Sequence, residues 1–149
     1  MTHTNIVLLL EGKDYEQETL AKASRLAQGL GCDLTLLHLT HSSKVRRNSL
    51  SLSEEERSAQ GTLDAKAIIS ELITLLPHPV DYHCLVVDDV VRDLGQWLST
   101  HPASLLLVGS RHHWMEGSLA RLLIYKLPVD IQICHEPYAE RLKAVGCSC

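Results

Sequence analysis

The sequence has no run approaching the roughly 20 apolar residues that a bilayer-spanning helix needs. Its first apolar run, Ile6 to Leu10, stops at Glu11 with no basic residue ahead of it, so it is also too short for a secretion-signal core. There is no excess of positive charge: 14 Lys and Arg stand against 18 Asp and Glu, a formal net charge of -4. That balance gives no long-range attraction to nucleic acid or to an anionic membrane, and neither is expected as a partner. The five cysteines, Cys32, Cys84, Cys134, Cys147 and Cys149, are odd in number and scattered, which excludes a full disulfide framework. Reduced thiols and a cytoplasmic location are the expectation. No cysteine, histidine or carboxylate set has a recognised zinc spacing, and no serine sits in a nucleophile elbow.

What is present is the composition of an ordinary globular domain, 45% hydrophobic and 21% charged. A chain of 149 residues makes one domain and buries roughly 68–70% of its unfolded surface, so it needs no metal or disulfide staple. The expected division is a domain over residues 1–135 and a polar tail over 136–149.

Ile6 to Leu10 is apolar without alternation, the mark of a strand buried on both faces. A helix is predicted from about Tyr15 to Leu30, with Leu20, Ala23, Ala27 and Leu30 at helical spacing and Gly31 as its C-terminal cap. Leu34 to Leu39 predicts a second strand. Residues 41–52 are polar and aperiodic, a loop. Ser53 to Glu56 then has capping-box spacing and opens a helix to about Leu76, with Leu63, Ile68, Leu72 and Leu75 or Leu76 toward the core. Pro77 and Pro79 end it. Tyr82 to Val87, Ser104 to Val108 and Pro128 to Cys134 predict three more strands. Val90 to Ser99 predicts a helix, and another opens at Gly117 or Ser118 and ends near Lys126.

This alternation implies an α/β three-layer sandwich: a five-stranded parallel Rossmann-like sheet, order 3-2-1-4-5, with helices on both faces. Ligands in such sheets bind past the carboxyl ends of the strands. The site is therefore expected among Glu11-Gly12, Leu39 to His41 and the loop from Gly109 to Ser118.

These residues resemble the universal stress protein family from Asn5 to Cys134. Leu36-Leu37-His38-Leu39 is similar to the family's second strand, and Leu105 to Arg111 to the end of its fourth. Gly117-Ser118, then Pro128-Val129-Asp130-Ile131, fall at the family's spacing for its last helix and strand. ATP-binding members carry Gly-x2-Gly-x9-Gly-Ser/Thr after strand four. Those glycines let backbone amides approach the phosphates, and the next helix N-terminus faces them. Gly109 and Gly117-Ser118 match the two ends of that motif, but His112 replaces the middle glycine. Seven residues, 110 to 116, lie where the motif has twelve, so five are missing. The chain thus resembles more closely the branch that does not bind ATP.

The resemblance implies a stress-response or regulatory factor rather than a catalyst, with at most weak nucleotide hydrolysis. It places candidate nucleotide contacts at Glu11, Gly12, Leu39, Gly109, Arg111, Gly117 and Ser118, for ATP, AMP or another small adenine ligand. Lys13 joins Arg111 as a candidate anion contact. A homodimer through the fifth strand is also implied, with Val129, Ile131 and Ile133 on its edge. A third reading is an interaction module that docks on a transporter or sensor through the loop around Trp114. Otherwise Trp114 and Met115 fold inward and fill the vacated phosphate region. His112-His113 reads as solvated or hydrogen-bonded loop histidines rather than metal ligands, and Cys147 and Cys149 as an incidental pair of tail thiols.

Overall fold

Leucine- and valine-rich runs form the middle of a parallel sheet because no side of them tolerates water. The computed structural model describes residues 5–13, 15–42, 67–114 and 117–136. In chain order the elements are β1 (Asn5–Leu10), α1 (Glu16–Leu30), β2 (Asp33–His41), α2 (67–74), β3 (Asp81–Val87), α3 (Val90–Thr100), β4 (Leu105–Gly109), β5 (His113–Trp114), β6 (Gly117–Ser118), α4 (Leu119–Leu123) and β7 (Asp130–Cys134). The main sheet has the order β3-β2-β1-β4-β7, every neighbouring pair parallel. This is the architecture expected from the sequence. The capping box at Ser53 to Glu56, Leu63, Met115, Cys147 and Cys149 lie outside the described residues.

Period-two alternation divides the buried strand residues between two cores. Val7, Leu9, Leu37, Leu39, Leu106 and Val108 face α3 and α4, packing with Val90, Leu94, Leu119 and Leu123. Ile6, Leu8, Leu10, Leu34, Leu36 and Leu107 face α1 and α2, packing with Leu20, Ala23, Ile69 and Leu72. Helices therefore cover both faces of the sheet, and β1, at its centre, is buried on both.

The helix ends follow local chemistry. Gly31 adopts φ 66° and ψ 34° at the end of α1, and the chain turns there with the Cys32 amide donating to Ala27 O at 2.8 Å. Asp89 caps α3, accepting from the amides of Val91 and Arg92. Two details differ from the sequence reading. α4 stops at Leu123, short of Lys126, because the chain tightens into turns (Lys126 N–H to Leu123 O, 3.0 Å) ahead of Pro128. The loop after β4 also folds into an unpredicted antiparallel hairpin, His113 pairing with Ser118 and Trp114 with Gly117.

Candidate functional site

β1 and β4 are neighbours in the sheet, so their carboxyl ends present two adjacent loops, 11–15 and 110–118. Backbone amides exposed at such strand ends are natural anion donors. Here two buried glutamates already use them. Glu16, the first residue of α1, folds back and accepts from the amides of Glu11 (3.0 Å), Gly12 (2.7 Å) and Lys13 (2.7 Å). Gly12, at φ 89°, supplies the left-handed turn that aims these amides at one point. Burial pushes the Glu16 carboxyl up to about 7, against the pull of those three amides toward the charged form.

The second glutamate comes from the far end of the domain. Glu136, two residues past β7, is 4% exposed and accepts from the Thr19 hydroxyl and from the Arg111 amide (3.2 Å). Its own amide donates to Ser110 Oγ at 2.7 Å. Its carboxylate lies directly over Gly109, where a β-carbon would overlap it. Gly109 is thus the glycine that lets an acid, rather than a phosphate, approach the loop in this structure. Sequence reading placed Glu136 at the head of the polar tail and missed its role. The available signal was one acid immediately after the apolar end of a strand, too common to weigh.

The other predicted positions fall around these two acids. Glu11 accepts from the Tyr15 hydroxyl (2.9 Å) and the His113 amide (3.2 Å), joining the two loops. Burial, then the charge of Glu11, raises the Tyr15 phenol and keeps it protonated as a donor. The Arg111 guanidinium lies 3.9 Å above the Tyr15 ring centre, a cation–π contact. Leu39 is buried among the α3/α4 core. Ser118 caps α4, accepting from the Arg121 amide at 3.4 Å, and the Leu119 amide donates to His112 O at 2.9 Å. Helix α4 is five residues long, so little dipole stands behind its N-terminus. On the edge strand, Ile131 is half-buried and Ile133 exposed, while Val129 precedes the strand and packs on the α3/α4 core.

The two loop histidines have different surroundings. His112 is 2% exposed, with Nε2 3.7 Å from Glu11 Oε1, so it is a buried partner of that acid rather than a solvated side chain. His113 turns outward, its Nδ1 2.8 Å from Arg111 O. The adjacent pair therefore diverges. Among the described residues no three histidine, cysteine or carboxylate side chains are grouped to hold a metal ion. Trp114 is half-buried against the α3/α4 core, its ring centroid 5.6 Å from that of His41.

Comparison with known proteins places this geometry in context. A sequence profile described as the universal stress protein family matches residues 2–133. No curated protein matches the sequence significantly. Among solved structures, the universal stress protein UspA from Lactobacillus plantarum superposes with a TM-score of 0.67 at 17% identity, covering 89% of this chain and 98% of its own. The universal stress protein from Archaeoglobus fulgidus in complex with dAMP gives 0.58 at 22% identity, over 89% and 98%. A universal stress protein in complex with cAMP gives 0.58 at 15%, over 92% of this chain and all of that one.

Proposed function

The chain belongs to the universal stress protein family, and from that premise we propose that it is a non-catalytic stress-response or regulatory member whose strand-end crevice is filled from within instead of holding ATP. One observation carries this reading. The amides that would meet phosphate oxygens are taken by the carboxylates of Glu16 and Glu136, with Glu136 seated on Gly109. A triphosphate brought there meets acids where the motif needs bare amides. Like charges within a few ångströms in a partly dry site disfavour each other strongly, and Glu16, whose carboxyl sits at about 7, adds only part of its charge at neutral pH. The lost middle glycine, the five missing residues and the hairpin that replaces them point the same way.

Thermal melting with ATP, ADP and AMP tests this, together with assay of the purified protein for carried nucleotide. A ligand at about 100 times its dissociation constant stabilises by roughly 2.7 kcal/mol, several degrees for a domain of this size. The expectation is no shift with millimolar ATP. A shift of several degrees overturns the reading.

A second reading, adenine monophosphate binding, is favoured by the relatives whose structures contain cAMP and dAMP. It would use Glu11, Gly12, Leu39, Gly109, Arg111, Gly117 and Ser118, and the incoming phosphate would have to displace Glu136. AMP alone shifting the melt would select it. For assembly, the half-exposed Ile133 beside Ile131 on β7, which ends the sheet among the described residues, suits a homodimer paired through that strand. Sedimentation at micromolar concentration should show the dimer mass, and monomer alone removes this part of the proposal.

A further inference from the structure

On the opposite edge of the sheet, a nucleophile and a base face each other across two strands. His38 of β2 pairs in register with Cys84 of the edge strand β3. Cys84 Sγ lies 3.7 Å from His38 Nδ1. The Tyr82 hydroxyl, two residues along on the same face, lies 3.1 Å from the sulfur and 3.3 Å from the same ring nitrogen. His38 is buried, whereas Cys84 is exposed. Burial, then its bond to Cys84, raises the Tyr82 phenol, so this hydroxyl stays a hydrogen-bond donor at neutral pH. The other described cysteines lack this setting. Cys32 donates to its neighbour Leu30 O, and Cys134 is buried beneath α1 with its thiol held protonated by that burial.

We infer that Cys84 is a thiol–disulfide exchange site, with His38 as the base that takes its proton and Tyr82 as the donor that steadies the sulfur anion. The co-reactant is a low-molecular-weight disulfide. The Cys84 proton passes to His38 Nδ1, and the thiolate attacks one sulfur of the disulfide. A new S–S bond to Cys84 forms as the disulfide's own S–S bond breaks. The departing thiolate takes a proton from His38 or water, so one mixed disulfide and one free thiol result; Cys84 is oxidised, the added disulfide is the oxidant, and no other is needed. The thiolate is the reactive form, and a hydrogen-bonded cation beside it is the setting in which exposed cysteines react selectively.

The test is exposure of the full chain to oxidised glutathione, with acid quenching and peptide mass spectrometry to follow each cysteine separately. Cys84 should form the adduct about tenfold faster than Cys32 in the same molecules. Tyr82→Phe and His38→Asn should each lower that ratio by roughly threefold or more while leaving the Cys32 rate unchanged. The Cys32 rate is the internal check on folding. Because His38 is buried, Tyr82→Phe, which removes one oxygen on an edge strand, decides the matter if His38→Asn does not fold. Cys84 reacting no faster than Cys32, or a ratio unmoved by Tyr82→Phe, overturns the inference.

Discussion

At the carboxyl end of β1 the loop amides are held by Glu16, which is three to five residues from them in sequence. At the carboxyl end of β4 the Arg111 amide is held by Glu136, 25 residues on. Both acids satisfy buried donors, yet they differ in what must fold first. Glu16 is in place once the first turn of α1 forms, since its carboxylate and its targets share one tight loop. Glu136 is in place only when β7 has docked beside β4 and the chain has passed over Gly109. Closing the longer loop costs more chain entropy, so the remote contact is the more easily opened of the two. The local acid belongs to the architecture of α1, and the remote one ties the end of β7 to the loop after β4.

The sharpest way to separate them is pH. The Glu16 carboxyl titrates near 7 in the folded protein against an ordinary 4.5, so the folded chain holds this proton more tightly than the unfolded chain. The resulting stability is complete below about pH 4.5 and is lost as pH rises through about 7, a fall of about 3 kcal/mol. Urea unfolding across pH 5 to 8 should show Glu16→Gln flatter than the parent by about that amount. An equal slope in both proteins would mean that the amides hold Glu16 ionised in spite of its burial.

The Glu136 contact breaks from the glycine side. Gly109→Ala places a methyl group where the carboxylate lies and should cost about 2 kcal/mol, measured as a lowered urea midpoint at unchanged slope. Gly117→Ala, at the other end of the same loop, meets open space and should stay within about 0.5 kcal/mol. Equal effects at the two glycines would erase the distinction drawn here. The smallest change is Thr19→Val, which removes one hydroxyl donor from the buried Glu136 and should cost about 1 kcal/mol. Its effect should largely vanish in a Glu136→Ala background, because the Thr19 hydroxyl then has no acceptor there to lose.

How much of this was legible beforehand depends on the range of each interaction. The apolar runs of β1 and β4, the 3.6-residue spacing in α1 and the left-handed cap at Gly31 are local, and each was readable from neighbouring residues. The motif ends at Gly109 and Gly117-Ser118 were readable too, and so was the shortening between them. The occupants of the crevice were not. Glu136 looked like tail because a glutamate is almost always solvated, and only the docking of β7 beside β4 brings it to the Thr19 hydroxyl and the Arg111 amide that let it be buried. His112 looked like a loop residue for the same reason, until the hairpin turned its ring toward Glu11.

Local pattern and period determined by themselves that this chain makes a parallel α/β sheet, and the resemblance to a known family implied the altered glycine loop. Apolar burial is read from spacing, and backbone turns are read from glycine and proline. Tertiary structure alone decided what fills that loop and which side chains meet across strands. His38 faces Cys84 only through strand register, and Glu136 reaches the Arg111 amide only across β7, so no window of sequence contains either pair. A buried charge or a reactive thiol is defined by its partners, and here the fold brings those partners together from 25 and 46 residues apart.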